Sequence, residues 1–202
     1  LTLKFLKFML VYGKVLRRNC CMKKIFRYIL LSFALLMLVA CGKPDSQKAF
    51  ESGKPDSQKA FEERFKEFDS VLTEKMKSAD EGSKKMAEII SKATFKVNKV
   101  EEKGENSELN VTIKAINLGK YVNEYVAAVT KKYGENIPAD KQEEFNKFSV
   151  EYFTNVLNDK NVEYVENDVN VKMQKVEGEW KITNPNELVS AILGGAGNLI
   201  GL

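Results

Sequence analysis

The sequence predicts an α+β fold, with one antiparallel sheet packed against helices. Two pairs of short segments with alternating apolar residues are joined by turn residues, Lys103-Gly104-Glu105-Asn106 and Glu177-Gly178, and read as β-hairpins. Five other segments repeat apolar residues at helical spacing. The order is helix, helix, strand, strand, helix, helix, strand, strand, helix. Hairpin-linked strands make an antiparallel sheet, and blocks of helices then pack on it.

The first helix opens near Ser57. Phe61, Phe65, Phe68, Leu72, Met76 and Ala79 form one apolar stripe, with Glu62 and Lys66 four apart on the outer face. Gly82 is expected to break it, and a short second helix carries Met86, Ile89, Ile90 and Ala93. Phe95 and Val97 alternate on the first strand, and Leu109, Val111, Ile113 and Ala115 on its return. Asn117 is placed to cap a helix bearing Leu118, Val122, Tyr125, Val126, Val129 and Tyr133. A loop with Pro138 follows, and Asp140 with Glu143 reads as a capping box for a helix with Phe145, Phe148, Tyr152, Phe153, Val156 and Leu157. Val162 and Tyr164 lead into a strand with Val169, Val171 and Met173, and Asn167-Asp168 is expected to be a bend or bulge. Trp180 and Ile182 alternate on the last strand. Asn184-Pro185-Asn186-Glu187 reads as a helix start, Leu188, Val189, Ile192 and Leu193 fill that helix, and Gly194-Gly195 ends it.

Upstream lies a targeting pattern. Met22-Lys23-Lys24 is a basic start, an apolar run follows, and Leu38-Val39-Ala40-Cys41 ends it. That tetrapeptide resembles the lipobox of bacterial lipoproteins. The resemblance implies cleavage before Cys41, a diacylglyceryl group on its sulfur, and a lipid-anchored protein facing the extracytoplasmic side. Chains bind bilayers at about 0.8 kcal/mol per buried methylene, so two or more hold stably. The uninterrupted run from Tyr28 to Val39 is 12 residues, short of the roughly 20 needed to span. Residues 1–21 are expected to precede the true start. The alternative is a basic extension through Lys4, Lys7, Lys14, Arg17 and Arg18. The expected organisation is extension 1–21, signal 22–40, flexible tether 41–60 and one domain 61–202. The tether holds a duplication: residues 42–52 recur as 53–63, differing only in the last residue.

The formal charge of +4 belongs to the targeting part. Eight of the 32 Lys/Arg and none of the 28 Asp/Glu lie in residues 1–40, so the processed chain carries 24 basic and 28 acidic residues, a formal −4. No nucleic-acid footprint remains. There is no histidine, Cys20 and Cys21 precede the cut, and Cys41 is consumed by the lipid. Disulfides, thiol nucleophiles, Cys/His zinc sites and histidine triads are thereby excluded, and no cofactor is expected.

The segment Glu177-Gly178-Glu179-Trp180-Lys181-Ile182, with Leu188 and Ala191-Ile192-Leu193-Gly194-Gly195, resembles the end of a group of uncharacterised bacterial lipoprotein domains. So does Val111-Thr112-Ile113-Lys114-Ala115-Ile116-Asn117-Leu118. Those domains are similar to the cystatin-like cone fold of nuclear transport factor two. The resemblance implies a curved antiparallel sheet around helices with a conical pocket, and it supplies no catalytic residues.

Tyr121, Tyr125, Phe148, Tyr152 and Tyr164 are the candidates to line such a mouth, as apolar walls with hydroxyl handles. The competing reading of these aromatics is core and rim packing. Glu124 and Glu151 are candidate acids beside the tyrosines, since a buried carboxyl can have its pKa tuned for catalysis. Gly195-Ala196-Gly197 lacks the spacing and strand context of a nucleotide loop. Asn158-Asp159-Lys160-Asn161 lacks calcium-loop spacing. The expected function is non-enzymatic: binding a small apolar ligand or a peptide in or beside the sheet concavity. The alternative is a structural or protein-interaction module of the envelope. An enzyme would have to work through carboxylates.

Overall fold

The computed structural model describes residues 53–77, 79–134 and 136–199. Residues 1–52, with the expected signal, Cys41 and the first repeat copy, and the tail from Ile200 lie outside the described residues. The chain is α+β, with a curved four-stranded antiparallel sheet in the order β1-β2-β3-β4. Its elements are α1 (Asp56–Met76), α2 (Glu81–Ile90), β1 (Thr94–Lys103), β2 (Asn106–Ile116), α3 (Leu118–Tyr133), α4 (Gln142–Asn158), β3 (Tyr164–Val176), β4 (Glu179–Ile182) and α5 (Pro185–Ile192). Short 3-10 turns precede α4 and follow α5.

The apolar alternation of β2 buries Leu109, Val111, Ile113 and Ala115 on one face, joined by Val169, Val171 and Met173 of β3. The α1 stripe of Phe61, Phe68, Leu72 and Met76 joins that core, as do the apolar residues of α5. α2 packs across α4, and α5 lies on β2 and β3. The opposite sheet face is polar: Asn98 Nδ2 donates to Asn110 Oδ1 (3.0 Å), and Asn110 Nδ2 to Asn170 Oδ1 (2.9 Å).

Helix α1 starts at Asp56, so the second repeat copy belongs to the fold and not to the tether. Pro55 at its boundary gives no side-chain cap. The cap comes from β1, where the Glu102 carboxylate accepts from Ser57 N (3.1 Å) and Ser57 Oγ (2.7 Å). Ser107 Oγ donates to Ser57 Oγ at 2.8 Å, closing a buried polar link between helix and hairpin.

Four local expectations are corrected. Gly82 does not break a helix; it lies in the first turn of α2, where a Cβ would meet the Ser149 Cβ of α4 at 3.3 Å. Asp80 instead starts α2, accepting from Ser83 N at 3.0 Å. The Asp140/Glu143 capping box does not form, because the chain after Pro138 tightens into a 3-10 turn over Ala139–Lys141. No bulge occurs at Asn167-Asp168, since β3 pairs with β2 in unbroken register. The irregularity is on β1 between Val97 and Lys99, and Asn98 satisfies itself across the sheet on Asn110 and Thr112. Asn184 does not cap α5 with its side chain. It extends the pairing of β3 past the end of β4: its Oδ1 accepts from Lys172 N (2.7 Å) and its Nδ2 donates to Asn170 O (2.7 Å).

Candidate functional site

Tyr125 on α3 meets Phe148 and Tyr152 on α4, and Tyr121, one turn earlier, accepts from Tyr152 through its backbone carbonyl. The Tyr125 ring lies 5.3 Å from Tyr152, 6.1 Å from Phe148 and 4.9 Å from Phe153. Phe153, with Phe145 and Tyr133, completes the cluster without having been singled out as site residues. Their signal in the sequence is the helical spacing on α4 and at the end of α3. Tyr164 stands apart on β3, opposite Ile116 and 42% exposed. The Lys114 ammonium sits 5.5 Å from its ring centre, a cation–π contact.

The hydroxyls of Tyr121, Tyr125 and Tyr152 are engaged, whereas that of Tyr133 is buried and meets no hydrogen-bond partner among the described residues. Tyr125 Oη and Ser149 Oγ share a hydrogen bond of 2.6 Å, and Ser149 Oγ also donates to Phe145 O at 2.9 Å. Tyr152 Oη donates to Tyr121 O (3.0 Å), and Tyr121 Oη accepts from Glu163 N (2.9 Å). Tyr121 and Tyr125 are buried, and Phe148 and Tyr152 half-buried. The rings of Tyr125, Phe148 and Tyr152 contact one another, Tyr121 joins them through its backbone carbonyl, and the hydroxyls tie α3 to α4 and to the start of β3.

Burial, and then the nearby Glu124 carboxylate, raise the Tyr152 phenol above its usual pKa. Glu124 and Glu151 are both exposed. Glu163 is the carboxylate most involved with protein groups here. Lys120 Nζ donates to it at 2.6 Å and Asn117 Nδ2 at 2.7 Å, and these bonds hold its pKa below the usual range. The resolved shifts at Glu62, Glu101, Glu144 and Glu163 are all downward. Such groups are poised as ion-pair partners, whereas a general acid needs the opposite shift.

The apolar concavity lies elsewhere. A groove of about 410 Å³ runs between α1 and the connection from α2 to β1, walled by Phe65, Phe68, Ile90, Ala93 and Phe95 with Lys66 at its margin. Phe65 and Phe95 are in ring contact at 4.6 Å, and both rest on the fully buried Phe61 at 5.4–6.1 Å. The groove meets the start of β1, whose outer edge pairs with no strand among the described residues. Helical periodicity names Phe65 and Phe68 as core; only the packing leaves Phe65 partly open. Among the described residues no group of three His, Cys, Asp or Glu is arranged to hold a metal ion, and no helix is long and apolar enough to cross a membrane. No family model, no curated protein and no solved structure matches this chain.

Proposed function

We propose that this chain is a lipoprotein anchored through acylated Cys41, whose extracytoplasmic α+β domain binds an extended apolar peptide segment. The observation that carries the binding reading is the groove of Phe65, Phe68, Ile90, Ala93 and Phe95 running onto the edge of β1, which pairs with no strand among the described residues. An open edge offers backbone N–H and C=O groups to an added strand, and side-chain pockets beside it select alternate residues. The two features are adjacent because Phe95 belongs to both. The occupant is an uncharged, apolar stretch of an envelope protein, since among the described residues the groove wall offers one ammonium, Lys66, and no carboxylate.

The cystatin-like cone is the finer fold within this proposal. The hairpin order and the curved sheet support it. The aromatic cluster plays the part of helix-to-helix packing, and the binding surface is the groove beside the sheet.

A second reading is favoured by the size of the groove, which falls within the range that holds small apolar ligands. One experiment addresses both. Residues 53–202, purified without detergent, are subjected to native mass spectrometry and then to crosslinking with envelope extracts, beside the Lys99→Pro and Phe65→Asp variants. Peptide binding predicts a specific crosslink weakened by both changes. A small ligand predicts an added mass lost in Phe65→Asp and kept in Lys99→Pro. Crosslinks indifferent to both substitutions would sink the proposal.

A further inference from the structure

We infer that the end of the sheet formed by the two hairpin turns faces the lipid surface carrying the anchor, so that the groove and Tyr164 face away from it. This rests on the acylation of Cys41 proposed above. The chain joins the fold at this end. The first turn of α1 is held there by Glu102 and Ser107 through Ser57. The second turn lies beside the first, with Lys175 N donating to Glu105 O at 2.8 Å. The opposite end holds Thr94, Lys114 and Glu166 in register, with Tyr164 opposite Ile116. At about 3.3 Å per residue, β1 separates the two ends by about 30 Å.

Eleven residues lie between Cys41 and Gly53, and a chain of that length spans at most about 40 Å. With the hairpin end toward the bilayer, the segment has little distance to cover. With the Thr94 end toward it, the same segment must run back along the whole sheet, using most of its contour length. The second repeat copy sharpens the effect. By folding into α1 it leaves only the first copy as spacer. Val176, one of two large hydrophobic residues exposed among the described residues, lies at this end, at 39% exposure. Lys103 and Lys175 alternate there with Glu105 and Glu177, so the contact needs no anionic lipid.

The test uses the full chain, processed in cells and reconstituted into phosphatidylcholine vesicles bearing a trace of acceptor-labelled lipid. A donor dye is placed on Val176→Cys or on Thr94→Cys, where it meets no competing thiol once Cys41 is acylated. The mean dye-to-bilayer distance is expected to be shorter at 176 than at 94 by about 20–30 Å, most of the strand length. Inserting a further copy of the repeat is expected to shrink that difference. Equal distances, or the reverse order, on acylated protein would overturn the orientation alone. An intact mass lacking the diacylglyceryl group would overturn the anchor and the orientation with it.

Discussion

A methyl group added at Gly194 would sit 1.9 Å from the Ile116 carbonyl oxygen, and the residue has φ +54. Gly194 O in turn accepts from Gly119 N at 3.1 Å, so the end of α5 is seated directly on the β2–α3 junction. Gly194→Ala combines left-handed strain with a backbone clash and should cost about 2–5 kcal/mol. Gly104→Ala has φ +61 but open space around it, and should cost about 1–2 kcal/mol from strain alone. Urea unfolding of the two variants checks the difference; equal losses would show that the close approach does not matter. The hydroxyl pair in the aromatic cluster is a smaller matter. Tyr125→Phe removes the 2.6 Å bond to Ser149 while Ser149 keeps Phe145 O as acceptor, so about 1 kcal/mol should be lost. A loss near zero by the same measurement would mean that the hydroxyls are incidental to the packing.

At the scale of elements, two identical decapeptides are followed by different sequences. In the second copy Ser57 and Phe61 are both 0% exposed, and the helix runs on through Phe65, Phe68 and Leu72. After Phe50 the same spacing meets Lys54 and Ser57 instead of apolar residues, so the first copy has no stripe to continue into. Phe61→Ala should therefore cost about 3–5 kcal/mol, as expected for a buried ring. Deleting residues 42–52 should leave the melting temperature unchanged, because the α1 start is held by Ser57 and Phe61 of the second copy. A drop on deletion, read by circular dichroism, would show that the first copy also contributes to the fold.

For the molecule as a whole, the pH dependence follows from what is absent as much as from what is paired. The chain has no histidine, so no unperturbed side chain titrates between pH 5 and 8. Glu62, Glu101, Glu144 and Glu163 have folded pKa values below their ordinary ones. Their stabilisation is complete above the unfolded carboxylate value, about pH 4.3, and is lost as pH falls through the folded values. Lys99, Lys120, Lys132 and Tyr152 are shifted upward. Their contribution is complete below about pH 10 and is lost as pH rises through the folded values. Thermal unfolding from pH 3 to 11 should show a plateau falling at both ends; a step between pH 6 and 7 would contradict this account.

The order of elements, the inner face of β2 and the α1 stripe were legible in the sequence because strand and helix periods are local properties of the chain. Asn117 was legible as a cap for the same reason, its acceptor lying three residues from the donor. Contacts distant in sequence were not. The α1 cap is a glutamate 45 residues away, the role of Asn184 depends on where β4 stops, and the β1 bulge depends on partners for Asn98 on β2. Residue type and spacing mark Tyr121, Tyr125, Phe148, Tyr152 and Tyr164 as candidates, but they do not say whether rings line a space or fill it. Packing decided that: Tyr125, Phe148 and Tyr152 meet one another between α3 and α4, Tyr121 ties to them and to Glu163 by hydrogen bonds, Tyr164 lies apart on β3, and the open apolar surface fell to Phe65 and Phe95. Periodicity specifies which face of an element turns inward, but the space left between two elements is set by how both are placed, and only the tertiary structure fixes that.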